Sequence, residues 1–110
     1  MKRLILELGA GNDLYGMDYT KAAKRAVQDA LHHSSLTLFK SLNLDSSQMD
    51  VRVTIGVQDP EQVDVSAISE TLPRGQASVT VVFGGQNVHD PKNGTTHVIA
   101  TAAIEAYYPL

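Results

Sequence analysis

Apolar and polar residues alternate with two different periods along this chain, and the places where the period changes mark its elements. The run Leu4-Ile5-Leu6-Glu7-Leu8 predicts a strand over residues 3–9. Gly9-Ala10-Gly11-Asn12-Asp13 and the residues to Gly16 read as a flexible polar loop. Asp18 is the expected N-cap of the helix that follows, because a short carboxylate accepts hydrogen bonds from the free N–H groups of the first turn. Tyr19, Ala22, Ala23, Ala26, Val27, Ala30 and Leu31 recur at helical spacing and form its buried stripe. The helix is expected to end between His32 and Ser35, and residues 36–39 fit either a continuation or a separate turn. A loop over 43–50 leads to a strand over 51–58, where Val51, Val53, Ile55 and Val57 alternate with Arg52, Thr54, Gly56 and Gln58. Asp59-Pro60 breaks that strand. Val65, Ile68 and Leu72 then predict a short helix stopped by Pro73-Arg74-Gly75. Further strands are predicted over 77–83 and 97–107. Asn93-Gly94 between them is a hairpin-turn signal that would place Asp90 opposite His97.

The resulting order, β-α-β-α-β-β, predicts an α/β (α+β) sandwich: one four-stranded mixed sheet with helices on one face, as a single domain over 1–110. The other face is expected to carry Ile5, Glu7, Thr54, Gly56, Thr80, Val82, Thr101, Ala103 and Glu105. That set is too apolar for free exposure and too polar for a private core. Two helices cannot cover both faces, so copies of the chain are expected to cover the second, a trimer being favoured.

Composition narrows the function classes. With 110 residues, 4 Tyr, 2 Phe and no Trp, the core must be small and aliphatic. A net charge of −3 without a basic cluster argues against nucleic acid as a partner. The absence of cysteine excludes disulfides and thiolate metal sites. No apolar run is long enough to span a bilayer, and Met1-Lys2-Arg3 leads into a segment too short and too charged for a signal peptide. A cytoplasmic location is expected, with no membrane partner and no cofactor or metal.

Four constellations carry candidate chemistry. A loop between a strand end and a helix N-terminus is a preferred anion site, yet Leu14 stands where a dinucleotide fingerprint needs its third glycine, and the Gly-Lys-Ser/Thr of a phosphate-binding loop is absent. Lys21, Lys24 and Arg25 set three cations against the helix dipole. That is tolerated if Asp13 and Asp18 compensate them or if an anion is bound. Gly84-Gly85 ends a strand, either as a bulge or as a place where a ligand or neighbouring subunit approaches the backbone. His32 and His33 point about 100° apart on a helix and suit its C-terminal surface. His89, Asp90 and His97 flank the hairpin turn, as ordinary loop polarity, as an acid–base set or as a metal site.

Gly9-Ala10-Gly11-Asn12, Asp18-Tyr19-Thr20-Lys21-Ala22-Ala23, Ile55-Gly56-Val57 and Gly84-Gly85 together resemble a small family of conserved hypothetical bacterial proteins of about this length. A local resemblance links Gly11-Asn12 and Asp18-Tyr19-Thr20-Lys21 to one unit of the ring-opening amidohydrolases, cyanuric acid hydrolase and barbiturase. Those enzymes arrange three similar units about a pseudo-threefold axis. Their Ser-Gly-Gly strand end, whose serine pairs with a lysine, is matched here by Phe83-Gly84-Gly85, without the serine. The resemblance implies a trimeric plan with pockets between subunits. Trimeric deaminase-like and chorismate-mutase-like proteins have a similar element order, as fold analogy alone.

The sequence thus reads as a homo-oligomer that binds a small polar or anionic metabolite at clefts between subunits. The expected ligand-binding residues are Gly11, Asn12, Asp13, Asp18, Thr20, Gly84 and Gly85, with Lys21 as charge partner. Lys21 and His89 are the acid–base candidates for proton transfer or ring opening on a small heterocycle. The alternative is a non-catalytic metabolite sensor or structural partner protein.

Overall fold

The computed structural model describes residues 1–32, 48–72 and 76–109. Residues 36–39, positions 43–47 of the expected loop and the Pro73-Arg74-Gly75 helix stop lie outside the described residues. The elements are β1 (Lys2–Asp13), α1 (Tyr19–His32), β2 (Asp50–Val57), a 3-10 turn (Pro60–Gln62), α2 (Val65–Ser69), β3 (Gln76–Phe83), β4 (Gln86–Asp90) and β5 (Thr95–Tyr108).

They form one five-stranded mixed sheet in the order β1-β5-β2-β3, with β4 also paired to β5. β2 and β3 run parallel, which requires a crossover. The 3-10 turn and α2 lie on it, and the Asp64 carboxylate caps α2 by accepting from the Ala67 N–H. All other pairings are antiparallel. The predicted four strands become five because β4 was not recognisable. Its Gln-Asn-Val-His-Asp sequence has no apolar alternation, and only its pairing to β5 makes it a strand.

One face of the sheet is covered by the helices. The α1 stripe of Tyr19, Ala22, Ala23, Ala26, Val27 and Ala30 is buried as its spacing predicts, with Leu31 partly buried. It shares a core with Val51, Val53, Ile55, Val57, Val98, Ala100, Ala102, Ile104 and Ile68 of α2. Apart from Tyr19 and Tyr108 the core is aliphatic, in keeping with the aromatic-poor composition.

The assignment of β1 to the two faces is a correction. Ile5 and Glu7 were expected on the open face. Ile5 instead pairs across from buried Ala106 on the helical side and is itself buried, and Glu7 lies across from buried Ile104 on that side. The even positions, Leu6 and Leu8, point to the open side, where they are 46% and 64% exposed. The reason lies further along the strand. Gly9 and Gly11 belong to β1 and not to a loop, and they sit directly under α1. A Cβ added to Gly11 would fall 2.2 Å from the Ala26 backbone N, and one added to Gly9 would fall 2.4 Å from that of Ala30. Only glycine facing alanine lets strand and helix approach this closely. That contact fixes odd residues inward, and the period of two carries the consequence back to Leu6 and Leu8. A register shift between Arg3 and Ile5 makes Leu4 the extra residue of a bulge, so Arg3 faces the open side with Tyr107.

The hairpin is also corrected. Asp90 lies opposite Thr95, His89 opposite Thr96 and Val88 opposite His97. The turn spans four residues, 91–94, and not Asn93-Gly94 alone.

Candidate functional site

The residues expected to bind a ligand separate into two regions. The first is the N-terminus of α1. Asp13, the last residue of β1, is buried and accepts a 2.9 Å hydrogen bond from the Asp18 N–H through Oδ2. Asp18 caps the helix as predicted, its Oδ1 accepting from the Lys21 N–H at 3.0 Å. Lys21 Nζ stands 3.6 Å and Arg25 Nη1 3.9 Å from Asp13 Oδ1, and Arg25 also donates to the Asn12 carbonyl at 2.7 Å. The backbone hydrogen bond from Asp18, helped by Lys21 and the Gly16 N–H, holds the Asp13 carboxyl below its ordinary range against the opposing effect of burial. The cationic turn is therefore compensated from within: the chain's own carboxylate supplies the negative charge that the helix N-terminus and its basic residues attract. Thr20 ties this turn to the crossover, its hydroxyl donating to the Gln62 carbonyl at 3.3 Å and accepting from the Asp64 N–H at 2.9 Å. Gly11 is spent on the contact with α1. Asn12 faces the open side, across from Ile99.

The second region is the open face of the sheet. Where β5 crosses between β1 and β2, the outward residues are small: Thr54, Gly56, Thr101 and Ala103. Leu8 stands above them on one side and Val82 on the other, with Phe83, whose register partner is buried Val57, closing the trough beside Val82. The difference in side-chain height leaves an apolar trough of about 360 Å³, with Gly84 at its end. Gly56 is needed in its floor, since a Cβ there would lie 2.8 Å from Thr101 Oγ1.

Gly84 and Gly85 carry the chain off the sheet edge and over the end of β2. The Gly84 N–H donates to the Val57 carbonyl at 2.9 Å, and Gln58 Nε2 donates to the Gly84 and Gly85 carbonyls at 3.0 and 3.3 Å. Gly85 has a φ of 61°, and a Cβ on it would fall 2.2 Å from the Ile99 oxygen. This is a strand-switching turn, and of the predicted ligand-binding residues only Gly84 lines the trough.

The histidines do not converge. His89 Nδ1 is 2.9 Å from Thr96 Oγ1, whereas His97 packs edge-on against Tyr15. Successive register pairs put the two rings on opposite faces of the hairpin. Asp90 accepts from Asn93 Nδ2 at 2.7 Å, which is the main reason its carboxyl sits below its ordinary range. Among the described residues no three acidic or histidine side chains are grouped to hold a metal. Sequence reasoning missed the trough because its rim depends on which β1 residues face outward.

At the far end of the open face lies a charged ladder. Arg3 donates to Glu105 at 3.3 Å, the Tyr107 hydroxyl donates to the same Oε2 at 2.7 Å, and Arg52 pairs with Asp50 at 3.0 Å while stacking 4.1 Å above the Tyr107 ring. The Tyr107 hydroxyl first, then Arg3, lowers the Glu105 carboxyl, and the same bond raises Tyr107.

The fold and these sites define a small α/β protein with a half-covered mixed sheet. The chain matches the model of a family of conserved hypothetical proteins, Lin0512_fam, over residues 3–106, and it belongs to that family. It is 33% identical to a protein of Nostoc punctiforme whose crystal structure is described as that of an FtsZ-like protein of unknown function. The two superimpose with a TM-score of 0.84 over 99% of this chain and 97% of that one. No curated protein matches the chain. Among the described residues no helix is long and apolar enough to cross a membrane.

Proposed function

We propose that this protein is a self-associating binding module of the cytoplasm. Copies of the chain, three in the arrangement its sequence pattern favours, cover the open sheet face, and the trough becomes a cleft between them for a small molecule. The observation that carries the reading is the trough itself: about 360 Å³ of apolar concavity beside Leu8 and Val82, which are 64% and 42% exposed. Exposed apolar surface around a concavity of this size is characteristic of association and ligand sites. The ladder of Arg3, Arg52, Asp50 and Glu105 adds no net charge to the face, so two copies approach without repulsion.

The lining favours binding over turnover. It offers the hydroxyls of Thr54 and Thr101 and the Gly84 backbone, and among the described residues it contains no titratable side chain. Lys21 and His89, the acid–base candidates, are engaged with Asp13 and Thr96. The missing serine before Gly84-Gly85 weighs the same way against amidohydrolase chemistry. Of the polar or anionic metabolite expected from the sequence, the cleft therefore suits the polar, largely neutral ring compound, held by hydroxyl and backbone hydrogen bonds, better than an anion.

Light scattering tests the association. The wild type is expected as a multi-chain particle at micromolar concentration and Leu8→Glu as a smaller one with unchanged circular dichroism. A wild type that stays a single chain overturns the reading. Thermal shifts with neutral ring metabolites, lost in Thr101→Val, test the cleft. Turnover of a cyclic amide by wild type but not by Lys21→Ala would replace binding by catalysis.

A further inference from the structure

The two edges of the sheet are built differently. β1 carries Lys2, Arg3 and Glu7 and is kinked by the bulge at Leu4. Charges and bulges of this kind prevent an edge from pairing with another chain. β3 has none of these. Its residues Ala77-Ser78-Val79-Thr80-Val81-Val82-Phe83 contain no charge and no proline, and they pair with β2 in unbroken register from Asp50↔Gln76 to Val57↔Phe83. Among the described residues no strand pairs with its other side. A regular, uncharged strand rich in β-branched residues, with one row of backbone donors and acceptors unpaired, is a template for strand addition.

We propose that β3 pairs antiparallel with β3 of a second copy, about a two-fold axis perpendicular to the sheet that passes beside Thr80. Residues opposed in an antiparallel ladder point to the same face, so the two-fold must sit at a residue and not between residues. Centred on Thr80, the pairing sets Val79 against Val81, Ser78 against Val82 and Ala77 against Phe83, and it uses every position from 77 to 83. Centred on Val79 it would leave Phe83 without an opposite residue inside the strand. The Thr80 register therefore covers the 73% exposed Phe83 ring. The strand's own sequence selects this occupant: uncharged throughout and β-branched from Val79 to Val82, it offers nothing to an acidic or basic peptide and complements itself. The axis places both helical layers on one side, and the two copies share a continuous sheet. This pairing does not depend on the open-face cleft.

Hydrogen exchange and charge swapping test it. In the wild type the alternate β3 amides that do not bond to β2 are expected to exchange more than about tenfold slower than in Thr80→Lys. Thr80 is exposed, points away from the helices and does not line the trough, so the fold tolerates the change. Thr80→Lys and Thr80→Glu each place like charges opposite one another and lose the protection. An equal mixture of the two restores it, together with a particle of twice the single-chain mass in the Leu8→Glu background. Outward β3 amides that exchange as free amides in the wild type overturn the pairing, and so does a mixture that restores nothing. Protection that survives Leu8→Glu separates this edge from the open face.

Discussion

On one side of the sheet Gly9 and Gly11 touch the backbone of α1, while on the other side of the same strand Leu6 and Leu8 stand exposed. The covered face is specified atom by atom. Its glycines fit only beneath alanines, the inward valines and isoleucines of β2 and β5 are buried, and Asp13 is fixed by hydrogen bonds at its end. The open face is specified only in outline: small residues in the middle, taller apolar ones at the rim and a charged ladder at one end. Both faces obey the same period of two. Alternation says that a strand has two sides, and the closeness of the covering layer decides which residues take which side. Where that layer is a helix at glycine–alanine distance, hydrophobicity is the weaker vote, and two leucines are turned outward.

The largest effect is expected where that rule is broken. Gly11→Ala drives a methyl into the backbone of Ala26 and Ala22, neither of which is a flexible side chain. The helix must lift from the strand, at a cost of about 3 kcal/mol or more in denaturant unfolding. Leu8→Ser on the opposite side of the same strand is expected to change the stability of the dissociated chain by less than about 0.5 kcal/mol. Equal losses at the two positions would mean that the faces do not differ in the way described.

That contrast also accounts for what the sequence makes legible. The α1 stripe, the Asp18 cap, the alternation of β2 and the helical crossover before β3 follow from spacing and capping, which are local. The orientation of β1 is not local. It depends on Gly9 and Gly11 meeting Ala22, Ala26 and Ala30, which lie 11 to 21 residues further along the chain, so the glycines read as a loop. The signal was nevertheless there, in glycines two apart facing alanines four apart. β4 was invisible for another reason, since a five-residue strand with a polar majority owes its conformation to β5. The candidate site suffered from both. Gly11 and Asp13 were assigned to a ligand-binding loop, but one is packed against α1 and the other turned inward to hold the helix start. The trough came into view only once Leu8 was placed on the open side.

A smaller effect is expected at Asp13, which marks the end of the covered face. Asp13→Asn keeps the shape and removes the charge that Lys21, Arg25 and the Asp18 N–H share. A loss of about 1.5–3 kcal/mol is expected near neutral pH, in the range for hydrogen bonds to a charged group. The folded-state pKa lies below the ordinary value of 3.8, so this contribution is present above that value. It disappears as the pH falls through the lower folded-state value, where wild type and variant should converge. A difference that persisted unchanged to strongly acidic pH would show that the carboxylate charge is not what holds the turn.

The smallest effect on the chain itself is expected at Glu105, and for that reason it is the most direct probe of whether the open face is covered. Its side chain is 23% exposed and that of Arg3 is 49% exposed, so in a dissociated chain the pair is solvated and contributes about 0–1 kcal/mol. Glu105→Gln should barely alter unfolding measured at high dilution. With a second copy seated on the face, the same substitution leaves Arg3 without its carboxylate partner as water is excluded, and the loss of one partner of a desolvated pair costs far more. The variant is then expected to need a higher protein concentration to associate, and its melting temperature should depend on concentration more weakly than that of wild type. Acid should mimic it. The Glu105 carboxyl is held below its ordinary value of 4.5 by Tyr107 and Arg3, so its contribution to the assembled state is present above that value and is lost as pH falls through the lower one. If the substitution leaves the concentration dependence of melting untouched, the charged end of the sheet faces water in the assembled protein too, and any interface must be confined to the trough and its apolar rim.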